Sequence, residues 1–120
     1  MTNRSVELTL ASYETFLSGD LDLFVSLYHP DCEWDVSRYR GWDGDKTYRG
    51  RDGLRRFYTD WTAAFEDLQT EPERLAELDD ERILVIARRR ARRLPEGEEF
   101  EERFAQLGRL DGPWIREVRV

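Results

Sequence analysis

Asp35 is the carboxylate in this sequence whose surroundings best suit it to acid–base chemistry. It directly follows Trp34 in an alternating, partly apolar stretch. A carboxylate that loses hydration beside an apolar ring has a raised pKa and can act as a general base. A solvated acid at a strand end, or one that caps a loop, has the same sequence signature. Both interpretations of Asp35 are open from the sequence.

The single histidine and the single cysteine restrict the other chemistry. His29 precedes Pro30 at a predicted helix end, where a surface or capping role is more common than catalysis. Cys32 lies in an apolar, aromatic stretch and is expected to be a small buried side chain. One histidine and one cysteine do not supply an ordinary metal site, and no glycine-rich phosphate loop is present. We therefore expect no metal and no cofactor.

Five arginines between positions 88 and 93 raise the question of nucleic-acid binding. Alternation in a strand would divide them between two faces, and glutamates in the following segment would lie opposite most of them. The net charge of -7 also disfavours partners that require a positive surface. We expect binding neither to nucleic acid nor to a membrane.

The length of 120 residues fits one domain, spanning residues 1–120, with one hydrophobic core. Apolar residues make up 39% and charged residues 38%, so the aromatic residues (six Phe, five Tyr and four Trp) must supply much of that core. No export signal or stretch of ~18 apolar residues is visible, which predicts a cytoplasmic protein.

Periodicity predicts three helices and five strands. The first helix covers residues 6–17, and a short second helix follows Asp20 and ends before Pro30. The third begins at Gly53 or Leu54 and ends at about Phe65. Strands are predicted at residues 32–36, 70–78, 82–93, 99–109 and 114–120, with a long loop at 37–50. The apolar residues at helical spacing in the first helix are Val6, Leu10, Tyr13 and Leu17.

Charge sets the register of the hairpin formed by residues 82–93 and 99–109. One register brings four pairs opposite each other: Arg93 with Glu98, Arg92 with Glu99, Arg90 with Glu101, and Arg89 with Glu102. A slip of one residue would turn every apolar side chain to the wrong face. Both faces are apolar near the middle, and three helices cover only one of them. The other face is therefore expected to form a homodimer.

The order of these elements resembles the nuclear transport factor 2-like superfamily, and the residues look most like its SnoaL-like branch of polyketide cyclases and ketosteroid isomerase relatives. Four stretches carry the resemblance: residues 19–31, the CEWD at 32–35, the YRGRDG at 48–53, and the RFAQ at 103–106 before Asp111 and Gly112. The resemblance implies a cone-shaped α+β fold with three N-terminal helices packed on a curved, mostly antiparallel sheet. It also implies a pocket for a hydrophobic or cyclic small molecule, and commonly a homodimer.

Residue-by-residue comparison with ketosteroid isomerase relatives gives catalytic candidates. Tyr13 matches their tyrosine donor with a one-residue gap, and Gln106 falls where they have a protonated aspartate. The base position falls on Val36, one residue after Asp35, which disfavours the steroid-isomerase mechanism itself. If the protein is catalytic, the implied chemistry is cofactor-free cyclisation, isomerisation or dehydration, with Asp35 as base and Tyr13 or Gln106 polarising a carbonyl.

The predicted faces also give ligand-binding candidates. Arg89 and Glu102 are expected at the wide end of the pocket, and small Ala87 and Gly108 favour a space on the same sheet face. The aromatic candidates are Trp34, Phe57, Trp61, Phe65 and Phe104. Three functions are open: a pocket protein with proton-transfer chemistry, a non-catalytic ligand-binding module, and a dimeric scaffold whose cone is filled by its own aromatic residues.

Overall fold

The computed structural model describes residues 4–39, 42 and 44–120. Within these residues, three helices and six strands follow one another, in the predicted order except for one additional strand, β2. Their bounds are α1 Arg4–Ser18, α2 Leu21–Ser26, β1 Tyr28–Asp35, β2 Thr47–Arg49, α3 Gly50–Ala64, β3 Phe65–Glu77, β4 Arg82–Arg93, β5 Glu98–Asp111 and β6 Trp114–Arg119.

The six strands form one sheet in the order β2-β1-β6-β5-β4-β3. Every neighbouring pair is antiparallel except β1 and β6, which run parallel. The helices pack on one face of this sheet, which confirms the predicted α+β, cone-shaped architecture. The core between the two layers is largely aromatic and includes Phe24, Tyr28, Trp34, Phe57, Trp61 and Phe65.

The hairpin of β4 and β5 has the predicted register, with Arg93 opposite Glu98 and Arg89 opposite Glu102. Alternate residues of β4 are buried from Ile83 to Ala91, so the predicted inner face is also confirmed. The side chains do not all pair as the register suggested. Arg92 faces outward and reaches Glu66 and Asp67 on β3 instead of its opposite glutamate.

The second helix is shorter than predicted, because the chain enters β1 at Tyr28 and carries Pro30 within the strand. The register between β1 and β6 shifts between Tyr28 and Glu33, and such an irregularity accommodates a residue without a backbone N–H. The predicted loop at 37–50 also contains β2, which pairs with the end of β1. A three-residue strand is too short for its alternation of apolar and polar residues to be recognised in the sequence.

The first helix forms as predicted, but its most buried side chains are small and polar. Leu10 and Leu17 are 43% and 40% exposed. A short hydroxyl side chain lets the helix backbone approach the layer below, and Ser12 Oγ lies 2.7 Å from Tyr28 Oη. The apolar stripe therefore marks the helix but only part of its buried face, because Val6 and Tyr13 pack against the core while Leu10 is exposed. The buried positions are Ser5, Thr9, Ser12 and Thr15.

Candidate functional site

A cavity of about 50 Å³ lies between the helices and the inner face of the sheet. Its wall is mostly apolar and aromatic. Leu17 lines it and is 40% exposed, so the cavity reaches the surface beside the end of α1. The lining residues are Ser12, Tyr13, Phe16, Leu17, Phe24, Trp34, Val36, Tyr39, Phe57, Trp61, Leu68, Thr70, Arg89, Phe104, Gln106 and Val120.

The cavity brings together most of the residues that the sequence suggested. Phe65 instead packs behind Trp61, with ring centroids 4.5 Å apart, and Glu102 contacts the cavity only through other side chains. The expected space beside Gly108 is small, about 10 Å³. The predicted residues that line the cavity between helices and sheet are Tyr13, Trp34, Phe57, Trp61, Arg89, Phe104 and Gln106.

Asp35 does not line the cavity. Its neighbours Trp34 and Val36 both do, and because side chains alternate along a strand, Asp35 faces the other way. Its Oδ1 accepts a hydrogen bond from the backbone N–H of Ser37 at 2.8 Å. Hydrogen bonds from Ser37 lower the pKa of Asp35, so the expectation of a raised pKa is wrong. The loop-cap interpretation describes this residue.

Tyr13 and Gln106 lie next to each other in the cavity wall. The Tyr13 hydroxyl donates to Gln106 Oε1 at 2.8 Å. Burial raises the pKa of Tyr13, and the positive charge of Arg89 opposes that shift. The hydroxyl therefore stays protonated, and its proton is committed to Gln106. The amide N–H groups of Gln106 make no hydrogen bond within the described part of the chain, so they are the donors this pair can offer a ligand.

Arg89 is a cation held inside an aromatic setting, with 8% of its surface exposed. Its Nε donates to Glu102 Oε1 at 3.0 Å, and the Tyr39 hydroxyl donates to the same oxygen at 2.5 Å. The guanidinium carbon lies 4.1 Å from the ring centroid of Phe104 and 4.7 Å from that of Trp61. These contacts fix the arginine by charge and by cation–π attraction.

Tyr39 closes this network from the loop after β1. Burial is the main cause of its raised pKa, which the charge of Arg89 opposes and the bond to Glu102 reinforces. Trp42 stacks beside it, with ring centroids 6.5 Å from Tyr39 and 5.4 Å from Trp61. This loop therefore contributes Tyr39 to the cavity wall, with Trp42 packed behind it.

Three buried donors around the cavity have no hydrogen-bond partner among the described residues. They are Arg89 Nη2, Trp34 Nε1 and Trp61 Nε1. In the same described ranges, no cluster of three histidine, cysteine, aspartate or glutamate side chains could hold a metal ion. No helix found there is long and apolar enough to cross a membrane.

A family model described as a SnoaL-like domain matches residues 10–118 of the chain. The chain belongs to the SnoaL-like family. This confirms the resemblance seen in the sequence. No curated protein matches the chain.

Solved structures similar to this SnoaL-like protein share its fold. An NTF2-like protein of unknown function from Burkholderia pseudomallei is 24% identical, with 99% of this chain and 89% of that one covered and a TM-score of 0.83. A Mycobacterium tuberculosis protein in complex with estradiol-17beta-hemisuccinate is 15% identical, with 98% and 92% covered and a TM-score of 0.82. A putative polyketide cyclase from Xanthomonas campestris is 17% identical, with 97% and 87% covered and a TM-score of 0.74.

Several residues that line the cavity or support it were not predicted from the sequence. Tyr39 lies in a segment without periodicity, so nothing in the sequence placed its hydroxyl beside Glu102. Leu68 and Thr70 belong to the start of β3, a strand whose register shifts between Glu66 and Gln69. Phe16 could have been found, because it lies three residues after Tyr13 and therefore on a neighbouring part of the same helix face.

Proposed function

We propose that this protein binds a hydrophobic or cyclic small molecule in the cavity between its helices and its sheet. The observation that carries the proposal is an apolar, aromatic cavity with a few polar groups at fixed positions, which is the usual composition of a small-molecule site. The complex of a Mycobacterium tuberculosis protein with estradiol-17beta-hemisuccinate supports it, since that protein has the same fold.

The size of the cavity sets a condition on binding. About 50 Å³ has room for a few water molecules, whereas small-molecule sites typically have ~300–1000 Å³. A ring-sized ligand therefore requires side chains at the open end to move. Leu17 is placed for this, because it lines the cavity and is already half out of the protein. A cone that stays closed is the competing scaffold function.

The geometry supports binding more strongly than turnover. Asp35 faces away, and no acidic side chain lines the cavity among the residues described. Cyclisation, isomerisation or dehydration would need a base, and Glu102 is the nearest carboxylate, one hydrogen bond behind the cavity wall. For a catalytic protein we expect Asp35→Asn to leave the rate unchanged and Glu102→Gln to abolish it. Loss of turnover in Asp35→Asn alone would restore Asp35 as the base.

Thermal unfolding against a panel of cyclic, aromatic and polyketide-like compounds tests the proposal. A ligand at 100 times its dissociation constant that binds only the folded state adds ~2.7 kcal/mol, which raises the midpoint by on the order of 10 °C. The increment should disappear in Trp61→Ala, which alters the cavity, and persist in Trp114→Ala, whose ring packs on His29 instead. No shift across a broad panel would contradict the proposal and favour a filled scaffold.

We also propose that the outer face of the sheet forms a homodimer. The outward side chains Leu84, Ile86 and Leu107 are only partly exposed, and they lie side by side on β4 and β5. Burying them against a second copy would remove apolar surface from water. Light scattering should give twice the chain mass, and Ile86→Glu should give a monomer. A native monomer at micromolar concentration would overturn this proposal.

A further inference from the structure

We propose that the cavity selects ligands that carry an anionic oxygen, such as a carboxylate or an acidic enol, on an apolar ring, and that Arg89 is the residue that binds this oxygen. The inference rests on the proposed small-molecule function and names the class of ligand. It starts from the one charged side chain among the described residues that line the cavity.

Arg89 is bound from one side only. Glu102 accepts its Nε–H through a single oxygen, which it shares with the hydroxyl of Tyr39. Nη2 of Arg89 is buried and has no hydrogen-bond partner among the described residues. An unpaired charged donor in an apolar setting is costly, because it has lost its hydration without compensation. Because Arg89 lines the cavity, an acceptor on a bound ligand can compensate Nη2.

The indole nitrogens of Trp34 and Trp61 also require a hydrogen-bond acceptor. Both are buried and unpaired within the described ranges, and both rings line the cavity. An indole N–H donates and cannot accept, and the same holds for a guanidinium. Every unpaired buried polar atom of the lining side chains is thus a donor. A ligand must supply acceptors, and a carboxylate or an enolate supplies nothing else.

Charge decides between an anionic and a neutral acceptor. Arg89 is positive, and the lining contains no acidic side chain among the residues described. Glu102 compensates the arginine from behind, where 29% of its side chain is exposed and water screens it. The guanidinium carbon lies 4.1 Å from the ring centroid of Phe104 and 4.7 Å from that of Trp61, so aromatic rings take the place of water beside it. Charge-assisted hydrogen bonds are roughly twice as strong as neutral ones, which favours the anion.

Calorimetric titration with three probes of one shape tests the inference. The probes are 2-naphthoate, 2-naphthamide and 2-naphthylmethylammonium, which carry an anion, a neutral amide and a cation on the same ring. At pH 7 we expect the native protein to bind the naphthoate about tenfold or more tightly than the amide, and the cation most weakly. The one-ring and three-ring carboxylates with their amides extend the test to other sizes.

Substitutions then assign the preference to one residue. Arg89→Met keeps an apolar side chain of similar length and should bring the naphthoate and the amide to equal affinity. Arg88→Met is the matched control, because Arg88 is the adjacent arginine on the exposed face, and it should keep the preference. If Arg89→Met does not fold, Arg89→Lys takes its place in the test. Lysine retains the charge but not the planar guanidinium, so this variant should keep part of the preference for the naphthoate.

Each outcome has a distinct meaning. Equal affinity of the native protein for the naphthoate and the amide would overturn the inference while leaving the proposed function intact. Loss of the preference in Arg88→Met as strongly as in Arg89→Met would also overturn it, because net charge would then be the cause. No binding by any probe of any ring size would remove both the proposed function and the inference.

Discussion

Arg89 and Glu102 show how one cross-strand pair can serve both the fold and the cavity. Their relation was predictable, because the register that aligns arginines with glutamates also sends this pair inward. The contact of both with Tyr39 was not predictable, since that residue approaches from an aperiodic loop. The pair lies at the wall of the cavity, with 9% of the arginine side chain exposed and 29% of the glutamate side chain.

Removal of the Glu102 charge should cost more stability than removal of the neighbouring Glu101 charge. Glu102→Gln leaves a buried guanidinium without its anion, and we expect a loss of about 2 kcal/mol in the free energy of unfolding. Glu101 pairs with Arg88 and Arg90 in the solvent, both at 3.4 Å, so Glu101→Gln should cost under about 1 kcal/mol. Urea unfolding of the two variants checks the difference. Equal losses would show that the ion pair of Arg89 and Glu102 stabilises the fold no more than the exposed ion pairs of Glu101.

At the scale of the element, α1 differs most from what its sequence suggested. Apolar periodicity identifies a helix, and it normally also identifies the side that faces the core. In α1 the spacing of Ser5, Thr9 and Ser12 fits the same helical period, and these smaller residues occupy the interface. Whether small or large side chains face the sheet depends on the distance between the helix and sheet layers. A single sequence does not encode that distance. The β4–β5 hairpin was predictable because pairing constrains both of its strands at once.

The contact between Ser12 and Tyr28 should anchor α1 to β1. Their oxygens are 2.7 Å apart and buried, and burial is the main cause of the raised pKa of Tyr28. We expect Ser12→Ala and Tyr28→Phe each to cost about 1–2 kcal/mol in the free energy of unfolding. Each substitution leaves the remaining buried hydroxyl of the pair without its hydrogen-bond partner.

A double-mutant cycle isolates this hydrogen bond. The combined variant should be less destabilised than the sum of the two single variants by about 1 kcal/mol, because the second change removes the orphaned group. Ser18→Ala, at the exposed end of the same helix, controls for loss of a hydroxyl as such. Additive losses from Ser12→Ala and Tyr28→Phe would mean that the contact does not stabilise the helix.

At the scale of the whole molecule, buried phenols should make the fold sensitive to alkali. Burial raises the pKa values of Tyr13, Tyr28 and Tyr39, and it raises the pKa of Tyr48 to about 12. The folded state therefore holds these protons more tightly than the unfolded state. Their stabilising contribution is complete below pH 10, the ordinary tyrosine pKa, and is lost as the pH rises from there towards the folded values.

Urea unfolding at a series of pH values measures this loss. Above pH 10 the free energy of unfolding should fall by about 1.4 kcal/mol per pH unit for each tyrosine that ionises only on unfolding. Tyr48→Phe should reduce the slope of the free energy of unfolding against pH by the contribution of one tyrosine. A free energy that stays level up to pH 12 would contradict the burial of these hydroxyls.

The fold of the whole chain was predictable for a different reason from the site. Several loose motifs in the right order constrain an architecture, and the match of the SnoaL-like family to residues 10–118 agrees with it. The site depends on side-chain directions. Asp35 illustrates the difference, because it lies one residue before the position where the relatives carry their base, and the alternation of its strand turns it away from the cavity.

Binding within the cavity is tested most directly by the indole N–H resonances of the four tryptophans. Trp34 and Trp61 line the cavity with unpaired N–H groups, whereas Trp42 already donates to the Asp45 carbonyl at 3.0 Å and Trp114 packs on His29. Titration of ¹⁵N-labelled protein with 2-naphthoate should shift the Trp34 and Trp61 signals most and the Trp114 signal least. Shifts confined to Trp114, or no shift in any of the four, would contradict the account.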